Sequence, residues 1–252
     1  YLYDIDDLEG VVQANLRERK REAERAEAIV EKAEALGVRL IAYTYNEPAV
    51  WIEYAHDTAK LAKERGMKNV FVTSGFETKE AWEYIHPVLD AANVDLKGFT
   101  EEFYRRICGA RLKPVLESLE HLVAQGVWVE VTTLLLEGYN DSPEEVRAMA
   151  RFLKGLSPEI PWHLTAAHPD YRMLDLRPTR HSTLVRAYGI AKEEGLKFVY
   201  VGNVLDEERS STRCPDCGRL LLRRLGFRVE PLWQVPGVCP GCGRRIPGVW
   251  TW

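Results

Sequence analysis

Short apolar runs alternate with longer amphipathic segments along most of the chain. The runs fall at residues 39–45, 69–74, 93–97, 128–136, 162–166 and 197–202, each bounded by turn residues, a pattern that predicts buried parallel strands. Helices are predicted between them at residues 49–65, 79–91, 112–125, 143–156 and 182–194. Gly66, Gly126, Gly155 and Gly195 are expected to close four of these helices, since glycine accepts the left-handed conformation that ends an α-helix. Asp141-Ser142-Pro143-Glu144-Glu145 marks a helix start: a capping side chain, a proline in the first turn, then acids near the positive end of the dipole. Strand-then-helix alternation of this kind implies an α/β fold with a parallel sheet.

Two stretches fall outside the rhythm. Residues 11–36, rich in Ala, Glu, Arg and Lys and stopped by Gly37, predict a helix with Ile29, Val30, Ala33 and Leu36 as an apolar face in its second half. In a βα series this helix follows a strand, and none is evident in residues 1–10, so the expected fold is a partial TIM-like (β/α)6 barrel lacking its first strand. From about residue 208 arginine, glycine, proline and cysteine take over, with short apolar pieces at 220–222 and 227–229. The expected organisation is an N-terminal segment and helix at 1–36, a partial barrel at 37–207 and a small module at 208–252.

Composition narrows the function classes. The 252 residues are 46% hydrophobic and 29% charged, as in an ordinary soluble globular protein. A formal net charge of -4 argues against a general nucleic-acid binder, which carries a basic face. No apolar run approaches the roughly 20 residues that cross a bilayer, and no signal peptide is visible, so a cytoplasmic location is expected.

The five cysteines divide into Cys108 and a late group, Cys214, Cys217, Cys239 and Cys242. The late four form two C-P-x-C-G knuckles, Cys214-Pro215-Asp216-Cys217-Gly218 and Cys239-Pro240-Gly241-Cys242-Gly243. Glycine after the second cysteine lets backbone N–H groups face the sulfurs, and four thiolates make a closed tetrahedral site suited to zinc or a single iron. Such a site is structural, and it folds a tail of zinc-ribbon type whose own core is too small.

A second set of polar residues gathers where the predicted strands end, the side on which parallel α/β proteins bind ligands. It comprises Tyr45, Asn46 and Glu47, then Thr73 and Ser74, then Asp95 and Lys97, then Asn140, and finally His168. Thr132 and Thr133 lie within the fourth strand, and Gly202-Asn203 ends the sixth. Each residue has a plain alternative. Asp95 and Lys97 share a strand face and could close as an ion pair, or Lys97 could act as a Schiff-base nucleophile. Asn140 fits a turn residue or helix cap, and His168 a loop histidine fixed by Pro169. His56, His86, His121, His163 and His181 are scattered and fit surface or packing roles, and Cys108 fits a small buried residue beside Arg105, Arg106 and Arg111.

Taken in order, Tyr43-Thr44-Tyr45-Asn46-Glu47-Pro48, Val94-Asp95-Leu96-Lys97-Gly98, Val131-Thr132-Thr133-Leu134, Gly138-Tyr139-Asn140-Asp141, His168-Pro169-Asp170-Tyr171 and Tyr200-Val201-Gly202-Asn203 form a specific set. With the cysteine knuckles and Ile246-Pro247-Gly248-Val249-Trp250, they resemble the radical SAM component of the AmmeMemoRadiSam system, which is similar to the pyruvate formate-lyase activating enzymes. The resemblance covers roughly residues 26–250. It implies a partial barrel, S-adenosylmethionine (SAM) and a 4Fe-4S cluster that cleaves SAM reductively to a 5′-deoxyadenosyl radical. It also implies an electron-donor protein and a substrate of protein or peptide type. Carried onto this chain, Asn46-Glu47-Pro48 accept the SAM ammonium, and Tyr45, Thr73 and Ser74 line the same cofactor. Asp95 and Lys97 hold its ribose and carboxylate, Asn140 lies near the adenosyl group and His168 near the ribose.

The chain departs from that family in one respect: it contains no C-x-x-x-C-x-x-C motif to hold the cluster, and Cys108 alone precedes the tail. With Tyr1 in place of a starting methionine, the expectation is a fragment of an ordinary radical SAM enzyme, inactive as it stands. The alternatives are a SAM-binding scaffold without catalysis, or a zinc-ribbon protein whose arginines Arg213, Arg219, Arg223, Arg224, Arg228, Arg244 and Arg245 contact a protein or nucleic-acid partner.

Overall fold

The computed structural model describes residues 8–170 and 173–250. Residues 1–7 of the N-terminal segment, and Tyr171 of the His168 motif, lie outside the described residues. Helix α1 (Leu8–Ala35) leads to strand β1 (Leu40–Tyr43), and a 3-10 turn at Pro48–Trp51 runs into α2 (Ile52–Glu64). The series continues with β2 (Lys68–Thr73), α3 (Lys79–Ile85), β3 (Ala91–Asp95), a short α4 (Glu101–Phe103), α5 (Leu112–Ala124) and β4 (Trp128–Leu135). It ends with α6 (Pro143–Leu156), β5 (Trp162–Ala166), α7 (His181–Glu193), β6 (Val199–Gly202) and a turn of helix, α8 (Glu207–Ser210).

The six strands pair in sequence order, every pair parallel. One sheet face carries the core: Phe71, Val94, Val131, Leu135, Trp162, Leu164 and Val201 are buried there against the helices. Helix stripes match it, as in α6, where Val146, Met149, Ala150 and Leu153 recur at helical spacing. On α2 the buried residues are Ala55, Thr58, Ala59 and Ala62, small enough to let the helix lie close to the sheet. The opposite face is open, and even Val72 and Leu134 on interior strands are 37% and 41% exposed. This is the inner wall of a partial barrel.

Most expected elements form, and the differences have local causes. The helix expected at 79–91 stops early: Pro87 cannot continue it, so α3 gives way to a 3-10 turn at His86–Val88, and Ala91 opens β3. Gly155 closes nothing, because it lies inside α6, which ends at Leu156; Gly66, Gly126 and Gly195 do adopt positive φ at helix ends. Residues 101–108, for which no element was expected, form α4, capped by the Thr100 hydroxyl, and then a π-helical turn at Tyr104–Cys108. Among the described residues no helix is long and apolar enough to cross a membrane.

After β6 comes a three-stranded antiparallel sheet of β7 (Thr212–Arg213), β8 (Leu220–Leu225) and β9 (Arg228–Pro231). Its core joins Cys214, Leu221, Cys239 and Ile246 to Phe198, which precedes β6, with Tyr200, Trp233 and Trp250 packed on the outside. Arg244 ties it down by pairing with Asp216 and with Glu159 at 2.6 Å.

Candidate functional site

Beyond β1 the chain turns on Tyr45, whose φ of 69° is a left-handed conformation uncommon for a tyrosine and whose side chain is fully exposed. Asn46 is exposed beside it, its amide donating to the Thr44 carbonyl at 3.1 Å. The turn swings Glu47 back over the end of β2. One of its oxygens accepts the Thr73 hydroxyl at 2.6 Å and the other the Ser74 amide at 2.8 Å. Burial pushes the Glu47 pKa up, but the donors Thr73 and Ser74 outweigh it and hold the group below the usual glutamate value. Glu47 is therefore a carboxylate at neutral pH.

Thr73 also meets the side chain of Glu77, which is 7% exposed, and accepts the Gly75 amide at 3.0 Å. Gly75 is required twice over: its φ is +71°, and a Cβ there would lie 2.7 Å from a Val94 methyl. Burial raises the Glu77 pKa to about 8, the Thr73 bond working against the shift and the Glu47 charge adding to it.

On the next strand the Lys97 ammonium meets the Asp95 carboxylate at 2.7 Å, with 40% and 35% of the two side chains exposed. The π turn brings the Tyr104 hydroxyl to accept the Lys97 amide at 3.1 Å. Asn140 is fully buried, and its amide donates to the Lys97 and Leu134 carbonyls at 2.6 and 2.9 Å while its oxygen accepts the Leu136 amide at 2.7 Å. Both its hydrogens are taken up by backbone carbonyls, so Asn140 holds the ends of β3 and β4 together.

The structure thus gathers Glu47, Thr73 and Ser74 into one hydrogen-bonded set, and Asp95, Lys97 and Asn140 into a second. Thr73 is in register with Val94, so the sets sit on adjacent strands. His168 follows β5, two strands from Asp95, and is exposed. Thr132 and Thr133 part company: Thr132 bonds Asn93 on the open face at 2.9 Å, whereas Thr133 is buried and donates to the Leu96 carbonyl.

Sequence reasoning missed Glu77, four residues beyond Thr73, although an acid in a Ser-Gly turn after an apolar strand was the available signal. It also missed a polar ladder on the open face. His163, expected as a surface or packing residue, meets Glu130 at 2.7 Å and stacks on Tyr200 at 5.2 Å, with Arg224 over the far ring. The period-two positions Asn93, Glu130, Thr132, His163 and Tyr200 carried that signal.

In the tail, Cys214, Cys217, Cys239 and Cys242 place their sulfurs within 4.8 Å of one another. Backbone N–H groups of Arg219, Gly241 and Arg244 bond to Cys217, Cys239 and Cys242 respectively. A closed four-thiolate set with amide donors to sulfur fits one tetrahedral metal ion.

Residues 7–153 match the radical SAM superfamily. The chain belongs to that family. It is 42% identical over 223 residues to an uncharacterised protein of Methanocaldococcus jannaschii, an alignment covering 87% of this chain and 66% of that protein. It is 20% identical to a pyruvate formate-lyase 1-activating enzyme of Escherichia coli, over 61% of this chain and 68% of the relative. In fold it is similar to a domain of a pyruvate-formate lyase-activating enzyme from Bacteroides vulgatus, with TM-score 0.57, 18% identity, and coverage of 65% of this chain and 98% of that one. This radical SAM chain therefore resembles the activating enzymes of pyruvate formate-lyase.

The family implies SAM and an iron–sulfur cluster, and the residues present fit the two unequally. The rim offers an anionic Glu47, an Asp95–Lys97 pair and hydroxyls, donor and acceptor types that suit an ammonium, a carboxylate and a ribose. A cluster does not fit: among the described residues the barrel carries Cys108 as its single cysteine, and the other four converge on the tail site.

Proposed function

We propose that this chain binds S-adenosylmethionine across the carboxyl ends of β1 to β4, as part of an enzyme of the activating type whose substrate is a protein or peptide. What carries the reading is Glu47, held anionic by Thr73 and Ser74 beside the Asp95–Lys97 pair of the next strand. Glu47 is oriented to accept an ammonium on the lone pairs that Thr73 and Ser74 leave free. Lys97 offers a carboxylate partner and Asp95 an acceptor for ribose hydroxyls. Exposed Tyr45 offers a ring face at the mouth. The protein-substrate class rests on the resemblance to an enzyme named for activating pyruvate formate-lyase.

The single cysteine ahead of the tail favours a second reading for the chain on its own, nucleoside binding without cleavage. Crystals grown with SAM test the placement: ligand density is expected between Glu47 and Lys97, and density elsewhere or none at saturating ligand contradicts it. Incubation with SAM and dithionite then separates the readings, since 5′-deoxyadenosine forms only if this chain supports cleavage.

A further inference from the structure

Two carboxylates reach for one hydroxyl at the end of β2. Thr73 has a single hydroxyl proton, yet its oxygen lies within hydrogen-bond distance of both Glu47 and Glu77. The Thr73 oxygen also accepts the Gly75 amide, and both Glu47 oxygens accept from protein donors. One extra proton satisfies every one of these contacts, and hydrogen bonding alone allows it on either acid. In one arrangement Glu77 carries it and donates to Thr73, and Thr73 donates its own proton to Glu47.

The surroundings favour the same arrangement. Glu77 is buried, and its second oxygen has no hydrogen-bond partner among the described residues, a position tolerable for the carbonyl of a neutral acid and unfavourable for an anion. Glu47, less buried, has the Ser74 amide and the Thr73 hydroxyl to stabilise its charge. The charged group that acts on Glu77 is Glu47 itself, and the other side chain bonded to it, Thr73, does not titrate in this range.

We infer that Glu77 is a positioning residue: a neutral carboxylic acid whose proton, passed through the Thr73 hydroxyl, fixes the orientation in which Glu47 receives the ammonium of its ligand. The inference rests on the reading of Glu47 as a ligand acceptor, but the proton on Glu77 is measurable without any ligand. Were Glu77 ionised, two like charges would compete for the single Thr73 proton, and the bond that aims Glu47 would no longer be assured.

Two measurements on the full chain test it. Carbon-13 NMR of glutamate carboxyls, with Glu77→Gln used for assignment, is expected to show Glu77 protonated at pH 7 and titrating near the 8 that its burial sets. Titration in the ordinary glutamate range overturns the inference. Stability gives the same information. With a native pKa above the unfolded value of about 4.5, the favourable contribution is complete below 4.5 and lost as pH rises to about 8. Glu77→Gln is therefore expected to gain melting temperature relative to wild type between pH 5 and pH 8.5; a constant difference overturns the inference.

Binding of SAM, followed by calorimetry, tests the positioning role. Glu77→Leu, which leaves Thr73 without its donor, is expected to weaken SAM at least tenfold. Glu77→Gln, whose amide donates as the acid does, restores affinity to within threefold of wild type. If Glu77→Leu binds like wild type while Glu47→Gln binds weakly, the positioning role falls and the SAM site stands. If Glu47→Gln binds like wild type, the site assignment falls, and the carboxyl titration still decides whether Glu77 holds its proton.

Discussion

The side-chain amide of Asn140, at the exit of β4, donates to the backbone carbonyl of Lys97, at the exit of β3, across 2.6 Å. A second hydrogen of the same amide goes to Leu134, and the Leu136 amide returns to its oxygen. One buried side chain thus locks two neighbouring strand ends together and fixes where Lys97 leaves the sheet. Asn140→Ala removes three hydrogen bonds from the interior, a loss of about 2–4 kcal/mol at roughly 1 kcal/mol each. Urea unfolding checks this, and SAM affinity is expected to fall with it because Lys97 loses its anchor.

The Asp95–Lys97 pair is half-exposed, and a pair of that kind contributes about 0–1 kcal/mol to stability. Its value is expected in binding. Asp95→Asn and Lys97→Met are predicted to unfold within about 1 kcal/mol of wild type. Each is predicted to lower SAM affinity about tenfold, the loss of one charge-assisted contact. Equal losses in stability and affinity would instead mark the pair as a structural brace.

Much of this arrangement is legible in the residues. The apolar runs mark all six barrel strands, and the Ser142-Pro143-Glu144-Glu145 start of α6 and the stripe that follows lie where the pattern puts them. Local rules fail where a side chain acts across the sheet. Nothing in Gly-Tyr-Asn-Asp tells that Asn140 is buried and tied to Lys97, because that depends on the β3–β4 register. Glu77 reads as an ordinary solvated acid until the fold brings Glu47 over Thr73. The π turn at Tyr104–Cys108 and the face shared by Glu130 and His163 are likewise products of tertiary contact.

The four-cysteine tail is predicted to hold about one equivalent of metal, as a closed tetrahedral set does. Removing it with a strong chelator, or Cys239→Ser, is expected to unfold the tail while the parallel barrel stays helical by circular dichroism. Trp233 and Trp250 pack edge to face at 4.8 Å beside the knuckles, so their fluorescence reports the loss. Unchanged fluorescence in the metal-free chain would mean that the tail folds without its ion.

Glu137 and Asp206 are expected to contribute to stability in acid. Bonds from the Arg180 side chain, then from Thr183 and the Arg180 amide, hold Glu137 at about 2. Asp206 also sits at about 2, where the Arg209 amide, His181 and the Arg209 guanidinium overcome the effect of burial. Both native values lie below the unfolded ones, so their stabilisation is complete above about pH 4.5 and is lost as pH falls toward 2. Glu137→Gln is predicted to flatten the melting temperature between pH 5 and pH 2.5 while lowering it at pH 7; a parallel curve would remove Glu137 from the account.

The most direct test of the rim is a calorimetric titration of wild type and Glu47→Gln with S-adenosylmethionine at pH 7. Replacing a carboxylate that accepts an ammonium forfeits about 1.5–3 kcal/mol, so the variant is predicted to bind roughly ten- to hundredfold more weakly while remaining folded. Equal affinity for the two proteins would show that the nucleoside is bound somewhere other than the ends of β1 and β2.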